Sequence, residues 1–460
     1  MENWSDKKVL VLGLAKSGLS VAHLLMDLGS EIIINDARPL TNDPDAQDLR
    51  KQGITVIGGG HPESLVDESI DYLVKNPGIP YSNPLIQKAQ SLNIPVITEI
   101  ELASQFLKAS LIGVTGSNGK TTTSTLIADM LRHDDRPGDI YLVGNIGTPL
   151  AEVVKDVKNE DDVVVELSSF QLQGTRNFRP HIAVITNIYS AHLDYHGSQK
   201  AYEEAKMKIT QNQTPEDYLI YNADQEGLLE KISSHTQAQL IPFSANGAVK
   251  KGAYISGGAI YWNEEKVADL DHILLPGHHN LENILAATAG AKLLHCSNEA
   301  ITQTLASFRG VAHRIQYVTE ICGRKFYNDS KATNAEATET ALKSFEQPIV
   351  LIAGGLDRHL SLDQLAPYLK DKVRAVIGIG ESGEKMLQLA KDSQVEKTAL
   401  AESMEIAIEK AMAFSEVGDI ILLSPAHASW DQYTNFEERG QIFMDGVNAL
   451  KEKCKEGDRC

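Results

Sequence analysis

The run Thr115-Gly116-Ser117-Asn118-Gly119-Lys120-Thr121-Thr122 follows an apolar stretch, Leu111 to Thr115, and precedes a segment whose Leu126, Ile127, Met130 and Leu131 recur at helical spacing. Between a strand and a helix, such a loop is built to hold phosphate. Its glycines let backbone N–H groups turn towards phosphate oxygens, and the helix start adds partial positive charge. Lys120 would neutralise the terminal phosphates and Thr121 can ligate Mg²⁺. The strict pattern has glycine at 114, where this chain has Val114 flanked by Gly113 and Gly116, so the loop is a variant. A loop of this kind commits the chain to an α/β fold.

The remaining sequence keeps that rhythm. Val9 to Leu12, Ile32 to Ile34, Asp71 to Val74 and Pro95 to Thr98 read as strands alternating with helical patterns, and this first unit ends near Ala109. In the second, Val163 to Leu167 and Ile182 to Asn187 are strands that run into polar residues, where open α/β sheets gather ligands. A polar stretch from Asp217 to Lys266 is expected to form an antiparallel excursion. The third unit, from Ala312, carries the strands Ile349 to Ala353, Ala375 to Ile379 and Ile420 to Leu423. At ~150 residues per domain the 460 residues make about three domains, expected at 1–109, 110–311 and 312–460.

Charge narrows the partners. With 43 Lys plus Arg against 62 Asp plus Glu the net charge is −19, which disfavours nucleic acid and anionic membranes. No apolar run reaches the ~18 residues that span a bilayer, and the N-terminus has no cleavable signal pattern. The four cysteines lack the paired spacing of a zinc site and fit a reducing cytosol best, so a cytoplasmic protein is expected. The tail Lys451 to Cys460 is expected to fray.

Several further residues could carry chemistry. Gly13-Leu14-Ala15-Lys16-Ser17-Gly18, with Asp36 closing the next strand, is similar to a dinucleotide fingerprint, but Ala15 replaces its middle glycine. A nucleotide sugar held through its diphosphate, a nicotinamide or plain strand–helix packing remain open. Glu166 ends a strand and is placed to hold Mg²⁺. His192, by itself, is a metal ligand or a packed cap; Lys206, by composition, is a solvated helical lysine paired to Glu203. Asn280 and Asn283 would cap a helix or read a base. Asn328 to Asn334 and Ser424 to Tyr433 are candidates for holding a small anion, or helix caps.

Taken together, these runs resemble the Mur ligase family of ATP-dependent amide-forming enzymes. The resemblance rests on residues 115 to 122, Gly144-Asn145-Ile146-Gly147, Glu166-Leu-Ser-Ser-Phe-Gln-Leu172, His192-Leu-Asp194, Lys206, Gly277-His-His-Asn-Leu-Glu-Asn283, His313-Arg314 and Asn328-Asp-Ser-Lys-Ala-Thr-Asn334. Within the family, the Glu166 and Asn328 runs and Ala428 to Gly440 are most similar to the member that adds D-glutamate to UDP-N-acetylmuramoyl-L-alanine in peptidoglycan precursor synthesis. His427 stands where such sequences commonly have Cys. The resemblance implies an N-terminal Rossmann-like domain, a central P-loop ATPase-type α/β domain and a C-terminal Rossmann-like α/β domain.

It also implies roles. Ser17, Asp36, Arg38 and Gly78 would lie near uridine and diphosphate, with Asn145, Ser168 and His192 on the rest of the acceptor. Gly116 to Thr122, Asn280, Asn283, Arg314 and Asp329 would bind ATP. Lys331, Thr333, Ser429 and Tyr433 would bind D-glutamate. Lys120, Glu166, His192 and Lys206 would be catalytic. Two Mg²⁺ ions would be held by Thr121, Glu166, His192 and Lys206, the last as a CO₂-derived carbamate. A monomer is expected, with hinges near Ala109 and Ala312.

Overall fold

The computed structural model describes residues 3–247, 249–358 and 361–455. Among them the strands form three sheets. The first contains β1 (Lys8–Leu12), β2 (Glu31–Asp36), β3 (Thr55–Gly58), β4 (Tyr72–Lys75) and β5 (Val96–Ile97), all parallel, in the order β3-β2-β1-β4-β5. This is the doubly wound arrangement expected of a Rossmann-like unit.

The second sheet holds β6 (Ser110–Thr115), β7 (Ile140–Gly144), β8 (Asp162–Glu166), β9 (Ile182–Ile185), β10 (Tyr218–Asn222), β11 (Gln239–Ser244), β12 (Ala253–Ser256), β13 (Ala259–Trp262) and β14 (Glu265–Asp269). Its order is β14-β13-β12-β11-β10-β9-β6-β8-β7. Strands buried on both faces can be apolar throughout, and Val163, Val164 and Val165 of β8 are fully buried. The expected antiparallel excursion is real only from β12 onward, because β10, β11 and β12 pair in parallel. Asn222 ends the parallel strand β10.

The third sheet comprises β15 (Gln316–Ile321), β16 (Arg324–Asn328), β17 (Ile349–Gly354), β18 (Val373–Ile379), β19 (Lys397–Leu400) and β20 (Ile420–Leu423), ordered β15-β16-β20-β17-β18-β19. Its antiparallel β15–β16 hairpin and edge strand β19 add to the three strands expected there.

The chain falls into two compact units: residues 1–270 with 281–304, and 271–280 with 305–460. The first two sheets therefore share one body. Two buried carboxylates on the helix Glu99–Ser104 bind them together: Glu99 accepts from the N–H of Ala151 at 2.6 Å, and Glu101 from those of Arg176, Asn177 and Phe178.

Residues 456–460 of the tail expected to fray lie outside the described residues, whereas Lys451 to Lys455 continue the helix Phe436–Lys455. Cys296 and Cys454 are free thiols, and Cys322 is disulfide-bonded, a pairing that spacing along the chain does not announce. No described helix is long and apolar enough to cross a membrane.

Candidate active site

The loop after β6 emerges between the C-terminal ends of β8 and β9. Neighbours press closely on two of its glycines. A Cβ on Gly116 would lie 1.9 Å from the Thr186 hydroxyl, and one on Gly119, whose φ is +81°, would lie 2.0 Å from Oδ1 of Asn283. Asn187, just beyond β9, accepts from the N–H groups of Ser117 and Asn118 at 2.9 Å each. Lys120 opens the helix Lys120–His133, and its Nζ donates to the carbonyls of Gly116 (2.9 Å) and Ser117 (3.0 Å). The ammonium is thereby held over the loop itself.

Glu166 ends β8 in register with Val114. Its Oε1 accepts from Nδ2 of Asn145 at 2.7 Å, while its Oε2 is buried with no hydrogen-bond partner. A buried carboxylate oxygen with no hydrogen-bond partner, beside a phosphate loop, fits a Mg²⁺ ligand. Among the described residues no three His, Cys, Asp or Glu converge on a metal position. Mg²⁺ takes one or two carboxylates and fills its shell with phosphate oxygens and water.

Lys206 departs most from its composition. It is 1% exposed on the helix Gln199–Met207, and its Nζ donates to the Gly116 carbonyl at 2.7 Å. Glu203 pairs with Lys231 instead, at 2.7 Å. Burial, then the charge of Lys120, hold the Lys206 amine well below the ordinary lysine range, with Glu166 pulling the other way. A neutral amine is the form that reacts with CO₂.

His192 is exposed, with φ +54°, and heads the short helix Leu193–His196. Its ring lies 5.0 Å from that of Phe170 and 6.2 Å from that of Tyr202. The Tyr202 hydroxyl is 2.8 Å from Ser117 Oγ, so this aromatic cluster touches the phosphate loop. Ser168 is occupied in a capping box with Gln171, which starts the helix Ser169–Gln173.

In the first sheet the fingerprint loop folds tightly, since a Cβ on Gly18 would meet the Gly13 carbonyl at 1.9 Å. Asp36 accepts from the N–H groups of Leu14 and Arg38 at 2.8 Å and pairs with the Arg38 guanidinium. Burial pushes the Asp36 carboxyl up, but these donors outweigh it and hold it below its usual range. Asn76 joins the other two candidates, donating to Ser17 Oγ at 3.1 Å and accepting from the Gly78 N–H at 3.2 Å.

In the second unit the Asn280 Nδ2 donates to the Pro276 carbonyl at 2.7 Å. Arg314 is exposed, on a turn where His313 and Ile315 have φ of +61° and +42°. Asp329 secures that turn, accepting from the Ile315 N–H (3.1 Å) and from Ser424 Oγ (2.7 Å). Burial pushes its carboxyl up to about 7.

A cavity of about 290 Å³ opens beside Thr333, with Arg358, Ala426, His427 and Ala428 in its wall. Of the four amino-acid candidates Thr333 alone lines it; Lys331 faces the Phe436 ring at 5.5 Å, and the buried Ser429 accepts the Tyr433 N–H through its carbonyl. Arg358 was missed from sequence. Its one signal is its place four residues after β17, at the end of a strand where ligands gather; its guanidinium lies 4.8 Å from the Trp430 ring centroid.

Three domain models of one family match the chain in order: a Mur ligase MurD-like N-terminal domain over residues 7–98, a Mur ligase middle domain over 114–291 and a Mur ligase glutamate ligase domain over 313–427. The chain is 51% identical over 449 residues to a UDP-N-acetylmuramoylalanine--D-glutamate ligase of Geobacillus kaustophilus, covering 97% of this chain and 99% of the relative. It is 52% identical to the enzyme of that name from Enterococcus hirae, covering 96% of each. Among solved structures, UDP-N-acetylmuramate-alanine ligase MurC from Thermotoga maritima aligns with TM-score 0.55 at 20% identity, covering 97% of this chain and all of that one. A MurF ligase of the same organism, in complex with ADP, aligns at 0.57 and 17%, covering 98% of this chain and 100% of that one. At those identities the two structures speak for the three-domain fold. The chain belongs to the Mur ligase family, and its N-terminal domain to the MurD-like branch.

Proposed function

We propose that this chain is the ATP-dependent ligase that joins D-glutamate to UDP-N-acetylmuramoyl-L-alanine in peptidoglycan precursor synthesis, acting in the cytoplasm as a monomer. One observation carries the reading: the orphaned Glu166 oxygen and the buried Lys206 amine both border the phosphate loop, in a chain about half identical from end to end to ligases of that name.

The reaction is two substitutions. The acceptor's alanyl carboxylate attacks the γ-phosphorus of ATP and releases ADP, leaving an acyl phosphate. The amine of D-glutamate then adds to that carbonyl, and phosphate departs as the amide forms and the amine loses its proton. Both partners in the first step are anions, so the chain's work there is charge neutralisation and alignment. Lys120 supplies positive charge where the β- and γ-phosphates would lie. Glu166, Thr121, His192 and Lys206 as its carbamate are the proposed holders of two Mg²⁺ ions, which when bound supply further charge to the phosphate oxygens. Carbamylation would turn Lys206 from a cation into an anionic oxygen ligand.

Ser17, Asp36, Arg38 and Gly78 are proposed for the UDP end of the acceptor, and Asn145 and Ser168 for its remainder. Asn280, Asn283 and Arg314 are proposed for the nucleotide, with Asp329 acting through the Arg314 turn that it holds. Lys331, Thr333, Ser429 and Tyr433, with Arg358 added, are proposed for D-glutamate. Phosphate release from Mg²⁺–ATP is to be measured with the acceptor and each of D-glutamate, L-glutamate, L-alanine, L-lysine and meso-diaminopimelate, with mass detection of the product. Coupling with D-glutamate alone is expected; coupling with another amino acid, or with none, overturns the reading.

A further inference from the structure

Arg439 is 0% exposed, a full guanidinium inside the second unit, and its hydrogen bonds go to neutral oxygens. Nε donates to Ser330 Oγ at 3.0 Å; Nη2 donates to the carbonyls of Ser330 (2.9 Å) and His427 (3.0 Å); Nη1 points at the Gly354 carbonyl at 3.5 Å. Burial pushes it down to about 10, against the pull of Asp431 and Tyr433. Asp431 spends its Oδ2 on the N–H of Glu381, and its Oδ1 has no hydrogen-bond partner. With Asp431 as its one anionic neighbour and hydrogen bonds to neutral oxygens alone, the buried guanidinium is costly, and a further anion nearby offsets part of that cost.

The segments it grips form the wall of the 290 Å³ cavity. His427 and Ala428 line it, as does Leu356, next to Gly355. A Cβ on Gly355 would sit 2.2 Å from the Ala428 carbonyl and 3.1 Å from Nη1, so the guanidinium lies directly behind that wall. The layer is one backbone thick, and the Arg439 charge lies within a low-dielectric interior on its far side. The wall itself carries one cation, Arg358, and one anion, Glu336, so the net positive charge facing the cavity comes from Arg439 behind it.

We infer that Arg439 is a specificity-determining positioning residue, whose buried charge behind the cavity wall favours an amino acid with a second carboxylate over its uncharged amide. This rests on the proposed function and goes beyond it, for the residue touches no substrate. A scaffold that merely ties three loops together would help every amino acid alike; a charge helps the one with more negative charge.

The experiment compares kcat/KM for D-glutamate and D-glutamine within each enzyme preparation, so that the ratio is independent of the fraction folded. Arg439→Gln removes the charge, and Ser330→Asp neutralises it by setting a carboxylate on Nε without removing the guanidinium. Each is expected to lower the D-glutamate to D-glutamine ratio about tenfold. Ser330→Ala breaks the hydroxyl's two bonds, from Arg439 Nε and to the Phe436 carbonyl, but leaves the charge, and should keep the ratio within about twofold of wild type. If Arg439→Gln does not fold, the two Ser330 variants decide. Unchanged ratios in Arg439→Gln and Ser330→Asp, or an equal fall in Ser330→Ala, overturn this inference alone. Wild-type enzyme that couples no D-glutamate overturns the proposed function and this inference with it.

Discussion

The Lys206 amine donates to the Gly116 carbonyl at 2.7 Å, which sets a buried lysine against the same loop carbonyl that Lys120 engages at 2.9 Å. Two ammonium groups sharing one oxygen would repel, and burial already disfavours the Lys206 charge. The structure therefore favours a neutral amine there, available for conversion to a carbamate.

Lys206→Ala should keep the fold and lower turnover by about 10²-fold or more, because it removes a group from the reacting site. Formate or acetate should restore part of the rate by placing a carboxylate in the vacated space. Steady-state phosphate release with and without those anions is the check. Unchanged turnover in the variant would mean that the buried amine serves packing alone.

Gly119→Ala tests the fit of the phosphate loop. An alanine at φ +81° costs about 1–2 kcal/mol in backbone strain, and its Cβ collides with Asn283 Oδ1 besides. The expected result is a loss of stability beyond that strain and of measurable ADP binding. In Gly119→Ala/Asn283→Ala the collision is relieved but the strain stays, so part of the stability returns. Denaturant melts of the four chains give the coupling energy; strict additivity would sink the idea that these two residues meet.

Glu166→Gln keeps the shape of the side chain and its bond to Asn145 while removing the charge from an oxygen that has no partner. Turnover is expected to fall by about 10²-fold or more and the Mg²⁺ requirement to rise. The melting midpoint should hold or increase, since the charge is removed from a buried oxygen that has no hydrogen-bond partner. A Mg²⁺ titration indistinguishable from wild type would move the ion elsewhere.

What could be read from sequence was what local physics writes locally. Gly116, Gly119 and Lys120 sit in a strand–loop–helix context whose chemistry is contained in eight residues, and Glu166 closes a run of valines that can only be a buried strand. Lys206 could not be read that way. Its neighbours Tyr202, Glu203, Glu204 and Ala205 have the composition of a solvated helix, and only the packing of that helix against the loop after β6 buries it. The β15–β16 hairpin escaped for a similar reason: Gln316–Ile321 mixes polar and apolar residues too evenly for a strand period. Arg358 and Arg439 gain meaning from a cavity wall assembled by segments up to about a hundred residues apart, which no local window contains.

Lys75 offers a test by pH. It is 1% exposed at the end of β4; its Nζ donates to the Pro77 carbonyl (2.9 Å) and the Tyr195 hydroxyl (3.2 Å), and burial pushes it down to about 7 from 10.5. Between those two pH values the unfolded chain holds a proton that the folded chain does not, so stability rises with pH across the window. The penalty is complete below pH 7 and gone by pH 10.5. Lys75→Met abolishes the linkage, whatever constant offset the lost hydrogen bonds add. Wild type should therefore gain on the variant by roughly 4 kcal/mol between the two ends of the window. Tyr81 and Tyr195, which face the amine, are both pushed up to about 12 and stay protonated throughout. Denaturant unfolding of both chains at intervals across that range measures the gap. Parallel stability curves would show that Lys75 keeps its proton in the fold, and that its contacts with Pro77 and Tyr195 are those of an ammonium.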